Sequence, residues 1–258
     1  SLSDSQRIRE ATTMASIGTQ ETFTFSTPWT ITLAGSYNFC VRISPSILGD
    51  PDASDQTCIG VCTGMLGTYT VNGALATGGT NFNSFYDLAS ALGGCGISGP
   101  VLVNVAPGVY NQTFTIGYIN GTSNVNTVTI DGGDTSLVTI QSSISTANGS
   151  VVTLDSADWV TFRTIKFNSL GVTYGSCLKL TNAADHNTVD SCVMVLPSNA
   201  TSAYHIGVVA SGATYSTFQN SANYFTMSNS IVRNGYYGAR MNGINTTSYC
   251  DGNRFINN

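Results

Sequence analysis

The sequence predicts an all-β protein: a parallel β-helix with one N-terminal capping helix, preceded by part of a β-sandwich. Three observations point there. From about residue 100 to the C-terminus, short runs of alternating apolar and polar residues recur, cut by turns rich in Gly, Asn, Ser and Asp. The spacing inside a run is kept: Phe162, Ile165 and Phe167 overlay Val189, Cys192 and Met194, each 27 positions on. A further shift of 38 brings Met227 and Val232 onto Val189 and Met194, and one of 23 is expected to bring in Cys250 and Phe255. Between units the spacing varies, as stacked coils joined by loops of different length require. The second observation is that only one stretch of the chain has convincing helical periodicity. The third is that only 9% of residues are charged, against roughly 25% in ordinary globular proteins.

The elements follow in order. Residues 1–62 read as strands and turns: Glu21 to Ser26 alternates, Pro28 interrupts, and Ala34-Gly35 turns into Ser36 to Ile43. A Gly49-Asp50-Pro51-Asp52 loop then leads into Thr57 to Val61. Strands of this length and spacing suit a β-sandwich, but three are too few to close one. Residues 63–97 are a Gly/Thr/Asn-rich linker carrying the strand Gly67 to Val71 and a helix over 84–92. Ser84 with Asp87 three residues on is a capping-box-like start, Phe85, Leu88, Ala89 and Leu92 share one face, and Gly93-Gly94 is the expected stop. An amphipathic helix placed directly before a β-solenoid can close its open end. Residues 98–258 are the β-helix. Val101/Val103/Val105, Val128/Ile130, Val138/Ile140, Val152/Leu154 and Leu178/Leu180 form its inward ladder.

Apolar content is ordinary at 41%, so a core can form, and solubility must come from Thr, Ser, Asn and Gly. Nine Lys+Arg against fourteen Asp+Glu, a net charge of −5, leave no basic footprint for nucleic acid. No run approaches the roughly 20 apolar residues that span a bilayer, so membrane insertion is not expected. The chain starts without a Met or an apolar signal core and stops directly after a coil strand, which reads as a mature segment of a longer protein. Of seven cysteines, Cys40, Cys58, Cys62 and Cys95 lie early, in no zinc-site spacing. Disulfides Cys40–Cys58 and Cys62–Cys95 are expected, placing the protein in an oxidising compartment, extracellular or on the outer cell surface. Cys177, Cys192 and Cys250 lie in the repeat, and Cys192 and Cys250 read as small apolar core residues.

The stretch from Gly67-Thr68-Tyr69-Thr70-Val71 through Phe82 to Leu92, Gly99-Pro100-Val101 and Ala106-Pro107-Gly108-Val109-Tyr110 resembles the opening of a class of Bacteroidota secreted and cell-surface proteins. Those carry pectate-lyase-like right-handed parallel β-helices preceded by Ig-like, cell-adhesion-related domains, and are often substrates of the type IX secretion system. The resemblance covers about residues 62–258. Residues 20–62 look like the last strands of such an Ig-like domain. The resemblance implies location and architecture more than chemistry.

Chemistry on a β-helix needs a carboxylate pair, or carboxylates holding calcium beside a base that abstracts a proton. Arg163, Lys166, Lys179, Asp185 and Asp190 could line a shallow carbohydrate groove. His186 and His205 have no nucleophile or metal ligand at informative spacing. Asp50, Asp52 and Asp55 on their strand-connecting loop are the best calcium ligands, and Asp131 with Asp134 a weaker set. No catalytic residue is assigned.

The expected function is a non-catalytic structural or adhesive segment of a large secreted or cell-surface protein, an adhesin stalk or filament subunit, and not an enzyme. Weak like-charge repulsion leads to expected self-association or contact with other surface proteins. The alternative is a carbohydrate-active β-helix enzyme, a polysaccharide lyase or glycoside hydrolase, or a carbohydrate-binding module. That reading requires a cleft with clustered Asp and Arg or Lys on one face. The structural reading requires a charge-poor surface.

Overall fold

The structure is a computed structural model, and it describes residues 36–42, 56–216, 222–243 and 250–258, all within the compact unit Ala34–Asn258. The sandwich strands expected before residue 36 and the loop bearing Asp50, Asp52 and Asp55 lie outside the described residues.

β1 (Ser36–Arg42) and β2 (Gln56–Cys62) pair antiparallel, with the Cys40 backbone opposite that of Cys58. Next come β3 (Met65–Val71), β4 (Asn81–Phe82) and the helix α1 (Phe85–Cys95). Thereafter the chain winds in triplets of strands. The first coil is β5 (Ile97–Val105), β6 (Gly108–Asn111) and β7 (Phe114–Ile116); the second is β8 (Val128–Asp131), β9 (Val138–Ser142) and β10 (Ser150–Asp155). β11 (Val160–Arg163), β12 (Lys166–Ser169) and β13 (Gly175–Thr181) form the third, and β14 (Thr188–Asp190), β15 (Val193–Val195) and β16 (His205–Ala210) the fourth. β17 (Thr226–Ser228), β18 (Ile231–Arg233) and β19 (Tyr237–Met241) complete a fifth, and β20 (Arg254–Ile256) begins another.

Stacking these coils makes three parallel sheets. Sheet I runs β7-β10-β13-β16-β19, sheet II β4-β3-β5-β8-β11-β14-β17-β20, and sheet III β6-β9-β12-β15-β18. The fold is a parallel β-solenoid of the right-handed type with very little helix. Period-two burial explains the ladder: Val128, Ile130, Val138, Ile140, Leu154, Leu178 and Leu180 are all fully buried. Each large inward side chain contributes roughly 1.5–3 kcal/mol.

The repeat is in the expected register through three coils. Phe162 pairs with Val189 and then Met227, and Phe167 with Met194 and then Val232. The last coil corrects the expectation, because Phe255 and not Cys250 stands opposite Met227. Cys250 sits before the corner, with its thiol on the Asn242 carbonyl.

The corners are built from side chains that serve the coil below or above. Leaving sheet II, the chain turns within two residues through Thr164, Ser191, Asn229 and Asn257, all at positive φ near 50°. Entering sheet II, Asn187 is buried and accepts a hydrogen bond from the Val160 N–H (2.9 Å) while donating to the Ala157 carbonyl (2.7 Å). Asn253 does the same two coils later for Phe225 and Ala222. These amides satisfy backbone groups that a sharp bend would orphan.

The helix also differs from expectation in one respect. Ser84 accepts from the Asp87 N–H at 3.1 Å, as the capping pattern requires, but α1 continues through Gly93-Gly94 to Cys95. It stops at Gly96, whose φ of 65° is left-handed and whose Cβ, if present, would lie 2.5 Å from the Asn120 carbonyl oxygen. Phe85, Leu88 and Leu92 are fully buried in the same apolar cluster as the solenoid core. Cys95 forms a disulfide with Cys62, Cα atoms 5.3 Å apart, tying the end of the helix to the end of β2.

Candidate functional site

Sheet I departs from plain alternation in a way that shapes its outer face. In β10 and β13 two consecutive residues, Val151-Val152 and Cys177-Leu178, are buried in the core. The residues on either side of each pair therefore share the outside. Ser150 and Thr153 meet in a 2.8 Å hydrogen bond there, and Ser176 and Lys179 occupy the matching places one coil on. Thr115, Thr153 and Lys179 stand in register on β7, β10 and β13, and Asp155 stands beside Thr181. With strands about 4.8 Å apart, this row runs along the axis of the solenoid.

Two features wall the row into a groove. On one side is the exposed face of α1, with Tyr86 and Ser90. On the other, residues 211–216 fold back over β13 and β16. Tyr215 is buried against Ile206 and Val209, its hydroxyl donates to the Gly149 carbonyl and meets Ser176 Oγ at 2.8 Å, and its N–H donates to Asn148 Oδ1 at 2.7 Å. Burial pushes the Tyr215 phenol up to about 12. Between these walls lie two adjoining depressions of about 490 and 560 Å³, open to solvent, that share Thr115, Gly149, Ser150 and Thr153.

The charged groups of the groove are Lys179 and Asp155. The Lys179 ammonium is 3.3 Å from the Ala213 carbonyl and 5.9 Å from the centre of the Tyr215 ring. Burial lowers its pKa from the ordinary lysine value, and the charge of Asp155 only partly offsets this. Asp155 accepts from Asn182 Nδ2 at 2.7 Å. The groove is thus a polar, hydroxyl-rich trough with one carboxylate and one amine inclined to give up its proton.

Several other charges are used by the scaffold. Asp158 accepts from the Asp185 N–H, Asp185 from the Asn223 N–H, and Asn223 from the Asp251 N–H, at 2.7, 2.7 and 2.9 Å. Burial raises the Asp158 pKa, and the hydrogen bond from the Asp185 N–H offsets this only in part. Beside this ladder Trp159, His186 and Tyr224 stack face to face, 4.1 and 4.7 Å between centroids. Beyond Tyr224 only glycine fits, since a Cβ on Gly252 would lie 2.4 Å from the ring. On sheet II, Asp131, Arg163 and Asp190 stand in register, with Arg163 Nε 3.0 Å from Asp131. Burial raises the Asp131 pKa, but hydrogen bonds from Arg163, Thr164 and Gly133 outweigh it and hold the carboxyl below its usual value. Ser228 and Asn229 do the same for Asp190.

The five residues expected to share a groove are therefore not brought together. Lys179 faces the sheet I groove, Arg163 and Asp190 the outside of sheet II, Lys166 pairs with Thr139 and Val193 on sheet III, and Asp185 is locked in a corner. His205 begins β16, buried, with Nε2 2.9 Å from the Gly171 carbonyl. Among the described residues no group of three His, Cys, Asp or Glu could hold a metal ion, and Asp131 and Asp134 spend their oxygens on the N–H groups of Gly133 and Ser136. Asp155 was missed as a partner of Lys179. Overlaying Val152 and Leu154 on Leu178 and Leu180 places it one strand away from Thr181, a signal present in the sequence.

No family model matches the chain, and no curated protein does. Solved structures similar to it include a pectin methylesterase in complex with a hexasaccharide: 13% identity, 73% of this chain and 77% of that one covered, TM-score 0.36. Pectin methylesterase PemA from Erwinia chrysanthemi is 12% identical over 64% of this chain and 66% of its own, TM-score 0.35. The expectation of a non-catalytic stalk or filament segment, and with it the expectation that the chain is not an enzyme, is corrected. The solved structures similar to it are of pectin methylesterases. One groove brings together an amine, a carboxylate and hydroxyls.

Proposed function

We propose that this chain is a carbohydrate-active β-helix that lays a polysaccharide along the outer face of sheet I and removes a proton from a uronic-acid unit. The observation that carries this reading is Lys179, an amine of lowered pKa facing a polar groove. A lowered pKa moves the amine toward the neutral form that a general base needs. Lys179 Nζ takes the proton from the carbon next to the sugar carboxyl. The electron pair left behind forms a carbon–carbon double bond, the bond from the next carbon to the glycosidic oxygen breaks, and that oxygen takes a proton from solvent. Asp155 and the hydroxyls of Ser150, Thr153 and Thr181 hydrogen-bond the sugar and hold it in place. Glycoside hydrolysis needs two carboxylates flanking one bond, and the groove lining has a single one.

The test is turnover on a panel of acidic and neutral polysaccharides, followed by new reducing ends and by the ultraviolet absorbance of unsaturated uronides. The expected result is unsaturated product from a uronate polymer, lost in Lys179→Met with the fold retained. Turnover that survives Lys179→Met, or no turnover of any polymer, overturns the reading.

We infer further that α1 caps the N-terminal end of the solenoid and that the protein works outside the cytoplasm. The buried face of α1 supports the first, and the Cys62–Cys95 disulfide the second. A Leu88→Lys variant that unfolds no more easily than its parent would remove the cap. Free-thiol labelling of both Cys62 and Cys95 in natively isolated, unreduced protein would remove the location.

A further inference from the structure

The two depressions of the groove differ in charge. Lys179 and Asp155 line the first. The second shares Thr115, Gly149, Ser150 and Thr153 with it, reaches α1, and has no charged residue in its lining. What it adds is Tyr86, Ala89 and Ser90 from α1, with Thr113 and Phe114 where the chain enters β7. The sequence explains the difference. Between Arg42 and Arg163 it contains no Lys, Arg or His, so α1 and the first two coils carry no cation. Asp87, the carboxylate of α1, accepts the Thr77 hydroxyl and does not line the depression.

Tyr86, Ala89 and Ser90 stand three and four residues apart and so share one face of the helix. Tyr86 is 72% exposed, which leaves its ring surface for a ligand. The buried face of α1 holds this wall in place. Phe85 stacks on Phe114 of β7, with centroids 4.8 Å and planes 10° apart, and meets Tyr110 edge-on at 5.1 Å. Thr115 on β7 is two strands from Lys179 on β13, about 10 Å along the axis at the usual strand spacing. A sugar chain whose reacting unit lies at Lys179, and which follows the row over Thr153 and Thr115, brings its neighbouring unit against Tyr86. The shared lining makes the path continuous.

We propose that the depression against α1 is a subsite for an uncharged pyranose unit, adjoining the uronate at Lys179, with Tyr86 stacked on its apolar C–H face. The substrate is then a polysaccharide that sets an acidic unit beside an uncharged one, either a neutral sugar or a uronate whose carboxyl is esterified. The inference rests on the function proposed above and specifies its substrate. A free carboxylate in this depression loses water on one side and finds no cation there, and Asp155 in the adjoining depression repels it. An uncharged pyranose meets neither cost. The Tyr86 ring and the Ala89 methyl suit its apolar face, and the hydroxyls of Ser90, Thr113 and Thr115 suit its edges.

The test compares kcat/KM, read from the absorbance of unsaturated uronides, on three forms of whichever uronate the protein turns over: the acidic homopolymer, its partly methyl-esterified form, and a polymer in which that uronate alternates with a neutral sugar. At least one of the last two should exceed the homopolymer by about tenfold or more, and the faster of them tells ester from neutral sugar. Tyr86→Ala should lower the rate on that preferred polymer by about tenfold, while Tyr86→Phe keeps it. Ser90→Arg places a cation on an exposed helix position and should raise kcat/KM on the homopolymer, narrowing the preference. A homopolymer turned over as well as the other two overturns the subsite and leaves the Lys179 groove standing. So does a preference that Ser90→Arg and Tyr86→Ala, with melting temperatures unchanged, both leave intact. No turnover of any form overturns the proposed function and the subsite together.

Discussion

Replacing Asn187 by Ala tests the physical basis of the corners. The Asn187 side chain is buried to within 1% and ties two backbone groups of the preceding coil, the Val160 N–H at 2.9 Å and the Ala157 carbonyl at 2.7 Å. Alanine leaves both without a partner. Each buried polar group stranded in this way costs about 1–3 kcal/mol, so the pair costs roughly 2–5 kcal/mol once partial access of water at the corner is allowed. That is a large share of the roughly 5–15 kcal/mol that holds a typical domain folded. Urea unfolding followed by fluorescence reads the effect, because Trp159 stands in the corner that Asn187 closes. The midpoint should fall sharply with an unchanged slope. Asn187→Asp keeps the acceptor, loses the donor and sets a carboxylate against the Ala157 carbonyl; it should be at least as damaging at neutral pH and recover in acid as the carboxyl protonates. A loss under about 1 kcal/mol in Asn187→Ala would refute the reasoning, since it would mean that the corner holds without the amide.

Three further outcomes are expected. Cys95→Ser opens a link spanning a sequence separation of 33, worth about 3–4 kcal/mol by loop-closure entropy, and should lower the thermal midpoint; an unchanged midpoint counts against a stabilising role. Asp131 and Asp190 have lowered pKa values in the fold, so the stability they contribute is present above the unfolded carboxyl value near 3.8 and is lost as pH falls through their lower folded values; Asp190→Asn should lower stability at neutral pH and flatten the acid limb below about pH 4, so that the variant and its parent converge in acid, and a variant as stable as its parent at neutral pH would contradict this. For Lys179 the sign is reversed: its pKa is lowered in the fold, so the neutral base accumulates as pH rises through that value, and turnover should climb on the alkaline side with an apparent pKa below the usual 10.5. A profile that falls in that range would exclude Lys179 as base.

The inward ladder was legible because burial in a strand repeats every second residue, and a coil that stacks must repeat that pattern in register. Phe162, Val189 and Met227 declare themselves by spacing alone. The last coil was misread because Cys250 looks like a small core residue, and nothing local says that the corner comes after it. The helix end was misread for a similar reason: Gly93-Gly94 is the stronger local stop signal, but close packing against Asn120 selects Gly96. The groove was the least legible part. Val151-Val152 and Cys177-Leu178 read as ordinary apolar pairs, and only the fold shows both members of each turned inward. Its second wall comes from residues 211–216, distant in sequence and placed by Tyr215. Asp185, a charge that looked available, is spent on the backbone of the next coil, a use that composition and spacing do not reveal.

The most direct test of the central claim is a crystal structure of the protein with a bound uronate oligosaccharide. The groove account predicts sugar density over β7, β10 and β13, with a ring carbon bearing the abstracted proton within reach of Lys179 Nζ and hydroxyls on Asp155 and Thr153. Sugar seated instead on the Asp131–Arg163–Asp190 row of sheet II, or on the outer face of sheet III, would contradict it.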